Sequence, residues 1–359
     1  MPEFEVLEPA IDPNNRISFL LDWELTMKCN LDCSYCFSEL YGGHDNSTRH
    51  PELDKCLVAI DFMYQYVDQY MKTKPRGIRY VILNVYGGES LYHPDIVTIL
   101  EQVHERYRAY QDHWHLTVTT TTNAIVSPRQ LQRILPLIDE FTVSYHTEAT
   151  PKQKQQFCDN LVTIAESGKR QKCVVLMHQD PELFADANRM IAWLEQRNIK
   201  HMPKQLDGIK TYDTAQVTWF DRLDQARTFG STIEPTKFRR ACCGGRQMCE
   251  DLDYKQRHHY VSNQFPDWYC SVNHFFLHVK QLTGEVFVNK DCKMSFDGTV
   301  GPIGNLSKTN TILSTLKEQL DTDTMPVIQC KKYNCLCGLC APKAKNLETY
   351  NSIMEKYQI

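Results

Sequence analysis

Apolar and polar positions follow two alternating periods through the first two hundred residues. Short β-rich runs occupy Ser18–Met27, Arg79–Tyr86, His115–Thr122, Glu140–Tyr145, Cys173–Met177 and Ile199–Pro203. Between them lie stripes whose apolar residues recur three and four apart, the spacing of one helix face. The first is Leu53, Leu57, Ile60, Tyr64, Val67 and Met71. Shorter ones follow: Ile96, Ile99, Leu100, Val103 and Tyr107; Leu131, Ile134, Leu135 and Ile138; Phe157, Leu161 and Ile164; then Ala187, Met190, Ile191 and Leu194. Thr150-Pro151 reads as an N-cap with proline at the first helical position. Such strand–helix alternation predicts an α/β fold, a parallel sheet with helices outside it. Six units form an open or partial (β/α)6 barrel, with function at the carboxyl ends of the strands.

Beyond about Gly230 the helical periodicity fades, and nine of the fifteen cysteines fall between Cys242 and Cys340. One hairpin is legible, Phe275–Val279 and Val286–Val288, turning near Thr283-Gly284. Another amphipathic stretch, Ile312, Leu316 and Leu320, precedes the last cysteines. The expected organisation is an N-terminal extension (1–17), a barrel core (18–230) and a small cysteine-rich domain (231–359).

Composition narrows the chemistry. A formal net charge of −4 without a basic run gives no reason to expect a nucleic-acid partner. The start of the chain lacks a basic segment followed by an apolar one, and no stretch approaches ~18 uncharged apolar residues. A cytoplasmic protein without membrane contact is therefore expected. Bunched cysteines without an export signal favour metal ligation over disulfides.

The first bunch, Met27-Lys28-Cys29-Asn30-Leu31-Asp32-Cys33-Ser34-Tyr35-Cys36-Phe37, lies just past the first strand. Three cysteines in one short loop can hold three corners of a [4Fe–4S] cube and leave one iron open. A structural zinc site would want a fourth ligand, and none precedes His44. This loop, its position and its aromatic Tyr35 resemble the signature of the radical S-adenosylmethionine (SAM) superfamily. The resemblance covers about Ser18 to Lys204. It implies a core in which SAM chelates the open iron, is cleaved reductively, and yields a 5′-deoxyadenosyl radical that abstracts hydrogen from substrate.

Val85-Tyr86-Gly87-Gly88-Glu89 closes the second run. Two glycines allow close backbone approach to a ligand, and Glu89 offers a carboxylate to an ammonium group. The segment resembles the family's GGE motif, which holds SAM's amino group. Asn123, after four threonines at the end of the third run, is similar in position to a residue contacting SAM; a plain turn asparagine is the alternative. Ser144 is similar in place to a ribose contact. His146 could orient substrate or exchange protons, or be a structural histidine. Lys204, after the sixth run, is a further candidate for the site. Cys56, Cys158 and Cys173 read as core cysteines.

The C-terminal cysteines, Cys242, Cys243, Cys249, Cys270, Cys292, Cys330, Cys335, Cys337 and Cys340, resemble in order the SPASM or twitch extension, which binds one or two auxiliary [4Fe–4S] clusters. Their spacing departs from its pattern: the closing knot reads C-x4-C-x-C-x2-C. The expected ligands are Cys243, Cys249, Cys270, Cys292, Cys330, Cys335, Cys337 and Cys340, with Cys242 or Cys243 spare for hydrogen or proton donation. A zinc knuckle is the alternative. The resemblance implies an oxidoreductase acting on a peptide or protein side chain, with a flavodoxin or ferredoxin as electron donor. Only about seventeen residues precede the first strand, so a separate peptide-recognition protein is a further expected partner. Modification of a nucleoside, sugar or other small metabolite is the second reading. A non-catalytic iron–sulfur or zinc-binding interaction protein is the third.

Overall fold

A computed structural model of the chain describes residues 6–7, 18–36, 49–73, 79–178, 180–205, 267–289, 301–330 and 342–357. A short strand, β1 (Val6–Leu7), comes first. Six longer strands follow: β2 (Ser18–Thr26), β3 (Tyr80–Gly87), β4 (His115–Thr122), β5 (Glu140–Tyr145), β6 (Arg170–Met177) and β7 (His201–Gln205). Between them run α1 (Leu53–Thr73), α2 (Ile96–Tyr107), α3 (Pro128–Ile134), α4 (Pro151–Glu166) and α5 (Pro181–Gln196). The six strands pair in parallel in the order of the sequence. This is the expected α/β architecture, a parallel sheet compatible with a partial barrel.

Alternation along each strand sorts side chains onto two faces. Phe19, Leu21, Trp23, Leu83, Val85, Val143 and Tyr145 are buried on the helix side. The Phe19 ring lies 6.2 and 5.7 Å from those of Tyr66 and Tyr70 on α1. Tyr145 packs on Phe157 of α4 at 5.2 Å and donates its hydroxyl to Asp186 of α5. Positions between these are polar: Asp22, Glu24, Asn84, Tyr86, Thr119, Thr142 and Ser144. They line the opposite, inner face. That inner face also explains why β6 starts at Arg170 rather than near Cys173. Arg170, Gln171 and Lys172 are polar yet pair in register with β5.

Local signals behave as physics requires. Thr150 caps α4 in a capping box, its hydroxyl accepting from Gln153 N while the Gln153 side chain accepts from Thr150 N. The stripe ending at Ile138 is cut short, because Pro136 lacks an N–H and the last turn becomes 3-10 at Leu135–Leu137.

After residue 267 come β8 (Tyr269–Cys270), β9 (Phe276–Lys280), β10 (Glu285–Phe287), β11 (Gly304–Asn305), α6 (Thr309–Asp321), β12 (Ile328–Gln329), β13 (Lys343–Ala344) and α7 (Leu347–Tyr357). The expected hairpin is β9–β10. Its turn carries Gly284 at φ +71°, where an added Cβ would meet Asn305 Oδ1 at 2.9 Å. β9 lies parallel against the free edge of β2, with Leu21 opposite Leu277, so one nine-stranded sheet runs β11-β10-β9-β2-β3-β4-β5-β6-β7. Trp23 donates its indole N–H to Gln281 across this seam at 2.9 Å. The buried core is continuous from Phe19 to Leu277, Val286 and Leu316. A second sheet of two-residue strands runs β1-β13-β8-β12. The boundary expected near residue 230 lies outside the described residues. No helix among the described residues is long and apolar enough to cross a membrane.

Leu277, fully buried on the seam, tests whether β9 belongs to the main core. Leu277→Ala is expected to cost about 2–5 kcal/mol in a urea titration, with core and C-terminal probes shifting together. An unmoved core transition would show two independent units.

Candidate active site

The carboxyl ends of β2 to β6 meet around the cysteine loop. Its position is fixed by the end of β3. Gly88 N donates to Thr26 O at 2.7 Å and Glu89 N to Lys28 O at 2.9 Å. A Cβ at Gly87, where φ is +148°, would sit 2.0 Å from Thr26 O, and one at Gly88 would sit 2.4 Å from Met27 O. The close approach these glycines permit is thus to the chain's own cysteine loop.

Glu89 is fully buried. Its Oε1 accepts from Leu91 N at 3.0 Å and Thr122 Oγ1 at 2.7 Å, and its Oε2 from Asn123 N at 2.6 Å. Burial outweighs these donors and pushes the carboxyl up to about 7. Glu89 therefore bolts the end of β3 to the end of β4.

Asn123 returns the connection to the loop. Its Nδ2 donates to Asn30 Oδ1 at 2.7 Å and lies 3.8 Å from Cys29 Sγ, while its Oδ1 accepts from Ile125 N. Asn30 in turn donates to Ile125 O at 2.6 Å. The next residue, Ala124, sits at φ +54°, a left-handed conformation costly for a residue with a Cβ. Asn160 of α4 holds it there, donating to Ala124 O and Val126 O at 2.7 and 2.8 Å.

Cys29, Cys33 and Cys36 lie together at this junction, all as free thiols. Leu31 N donates to Cys29 Sγ at 3.4 Å. Burial pushes Cys29 and Cys33 up to about 12; Glu89 and Glu148 respectively, and the neighbouring cysteines, add to the rise. Three gathered thiols with acidic neighbours become thiolates together only around a multivalent cation. N–H donors aimed at sulfur suit the same state. This donor set fits a soft, thiolate-bound metal centre such as an iron–sulfur cluster.

On the far side of the loop, Tyr35 stacks on His146 with ring centroids 6.0 Å apart and an interplanar angle of 8°. His146 Nδ1 lies 3.1 Å from Tyr35 Oη and 3.4 Å from Cys33 Sγ. Burial holds this imidazole down to about 4, so it is neutral. Glu148 accepts from Ser34 N at 2.7 Å and Ser34 Oγ at 2.5 Å, and lies 3.4 Å from Nε2 of the buried His178.

Ser144 is half-buried on the inner face, at the end of β5. Lys204 is exposed on β7, opposite Leu176. Below the cysteine loop, the inner face carries a polar ladder. Asn84 donates to Asp22 Oδ1 at 2.9 Å and Thr119 to Asn84 Oδ1 at 3.3 Å. His278, from β9, places Nδ1 3.3 Å from Tyr86 Oη and 3.2 Å from Asp22 O.

The structure thus brings Cys29, Cys33, Cys36, Tyr35, Gly87, Gly88, Glu89, Asn123 and His146 together. Cys270 and Cys330 lie elsewhere, on the small sheet; Cys242, Cys243, Cys249, Cys292, Cys335, Cys337 and Cys340 lie outside the described residues. Cys56 and Cys173 are fully buried core residues, as expected, and Cys158 packs against the core. Asn30, Glu148, Asn160, His178 and His278 join the site from positions that carry no motif. For Asn30 a signal existed, a turn-forming asparagine between ligand-type cysteines.

The chain is similar to solved structures of anSMEcpe. One, with bound AdoMet and the Cp18Cys peptide, aligns over 85% of this chain and 82% of its own at 10% identity and TM-score 0.48. Another, with bound AdoMet, aligns over 85% and 83% at 10% identity and TM-score 0.49. No family model and no curated protein matches the chain.

Glu89 generates a pH signature. Its folded carboxyl, near 7, binds a proton more tightly than its ordinary 4.5. Its stabilising contribution is whole below that ordinary value and is lost as pH rises to about 7. Metal-free wild type should therefore lose about 3 kcal/mol relative to Glu89→Gln across this interval. Urea unfolding at stepped pH measures it, whatever the variant's absolute stability; parallel profiles would refute it.

Proposed function

We propose that this chain is a radical SAM enzyme. One observation carries the reading: three buried cysteines of a single loop converge at the carboxyl end of the first barrel strand, against a buried carboxylate and above a polar inner face. When bound, a [4Fe–4S] cluster with S-adenosylmethionine supplies a 5′-deoxyadenosyl radical that abstracts hydrogen from substrate.

The chain's own residues bind, orient and shield. Cys29, Cys33 and Cys36 hold three irons. Leu31 N and Asn123 Nδ2 direct N–H groups at Cys29, and His146 contacts Cys33. Glu89 has about one acceptor position left after its three protein donors, and an ammonium group would take it. Gly87 and Gly88 keep that carboxylate against the loop. Asn123 is committed to Asn30, so its work is to hold the loop in place. Ser144, with its hydroxyl on the inner face, serves the ribose. His146 is a positioning residue for the cysteine loop, and Lys204 marks the substrate end of the barrel.

The substrate of this reading is a peptide or protein side chain, oxidised or cross-linked with a flavodoxin- or ferredoxin-type donor supplying electrons. A second reading, a sugar, nucleoside or similar metabolite, is favoured by the ladder of Asp22, Asn84 and Thr119 and by the His278–Tyr86 pair. Those groups suit a substrate rich in hydroxyls or amides. Either substrate separates the enzyme from a non-catalytic iron–sulfur or zinc-binding protein, which has no use for SAM.

Anaerobic iron and sulfide quantification with a SAM-cleavage assay tests the reading. Wild type should release 5′-deoxyadenosine, and the Cys29/Cys33/Cys36→Ala triple variant should lose about four irons and all cleavage. Zinc alone in the wild type, with no cleavage, would overturn it. Peptide and small-metabolite pools, compared for acceleration of SAM cleavage, separate the two substrate readings.

A further inference from the structure

The small sheet holds a lysine where water does not reach. Lys343 is 0% exposed, as deep as the apolar core, although its ammonium group is among the costliest to bury. Its strand, β13, pairs antiparallel with β8, and Lys343 stands directly opposite Cys270. Directly opposite residues share a face, with Cβ atoms roughly 4.5–5.5 Å apart.

The other neighbour of β8 brings a second cysteine to that face. β12 pairs Ile328 with Cys270 and Gln329 with Tyr269. The ladder runs on one residue further, Cys330 N donating to Trp268 O at 2.9 Å and Asp267 N to Cys330 O at 2.6 Å. Cys330 is therefore opposite Trp268, two residues from Cys270, and projects from the same side. Both thiols are buried, at 2% and 6% exposure. The opposite side of the sheet is accounted for: Tyr269 and Ala344 pack there on Tyr350, Ile353 and Met354 of α7.

On the face that Lys343 shares with Trp268, Cys270, Ile328 and Cys330, the groups able to become anionic are the two cysteines. Neutral thiols give an ammonium little. Thiolates bound to a metal cluster of net negative charge give it a great deal, and a lysine beside a cysteine favours the thiolate in return. We propose that Lys343 is the counter-cation of an iron–sulfur site that takes Cys270 and Cys330 as ligands, and that its charge raises that site's reduction potential. The proposal rests on reading the C-terminal cysteines as cluster ligands, and is independent of radical chemistry at Cys29, Cys33 and Cys36.

The test uses the full chain in the Cys29/Cys33/Cys36→Ala background, reconstituted anaerobically with iron and sulfide, so that SAM cleavage plays no part. Iron should remain, and adding Cys270→Ala with Cys330→Ala should remove about four irons per chain. Lys343→Met should keep the iron and move the midpoint potential of the reduced cluster's paramagnetic signal to more negative values, while Lys343→Arg restores it. If Lys343→Met does not fold by circular dichroism, Lys343→Gln, which also drops the charge, carries the same expectation. An unmoved midpoint in the neutral variant overturns the role of Lys343. Unchanged iron in the double-cysteine variant, or zinc in place of iron, overturns the site itself.

Discussion

The backbone contact between Gly88 and the first turn of the cysteine loop is the constraint on which the rest of the site depends. Two carbonyls, of Thr26 and Lys28, are taken by the amides of Gly88 and Glu89, and the spacing leaves no room for a Cβ. From there the connections form a circuit. Glu89 reaches β4 through Thr122 and Asn123, Asn123 reaches Asn30, and Asn30 lies between two of the cysteines. Buried hydrogen bonds arranged in a closed chain reinforce one another and penalise any break. The loop is positioned by its neighbours' backbones before any ligand arrives.

Most of the barrel was legible because its helix-facing side chains obey one rule. Phe19, Leu21 and Trp23, or Phe141, Val143 and Tyr145, must meet helices, so their period and β-propensity survive in the sequence. Strand ends were blurred where the inner face is polar, as at Arg170 to Lys172, since such residues resemble loop in a one-dimensional reading. The two-residue strands of the small sheet and helix α7 had no comparable signal. Strands that short have no period, and their pairing joins residues as far apart as Leu7 and Lys343.

The site divides along a similar line. The cysteines and the Gly-Gly-Glu segment are contiguous, and contiguous chemistry can be read from a chain. The supporting residues are not. Asn160 earns its place by facing Ala124 across a helix–loop gap, and His278 by lying on a strand that joins β2 from more than two hundred residues away. The glycines were recognised for the right property, close approach, but only the fold shows what approaches them.

The position of β9 also bears on how the polypeptide is made. Strand β2 is the first of the barrel to leave the ribosome, but its second partner is residues 276–280. About seventy residues separate the end of β7 from that partner, several seconds of synthesis at ~5–20 residues per second. Throughout that interval the nascent barrel presents an unpaired edge bearing Leu20, Leu21 and Trp23, the kind of edge that recruits other chains. Vectorial synthesis thus leaves the cysteine-bearing strand half-paired until late, and cluster loading and chaperone protection would act on that same late intermediate.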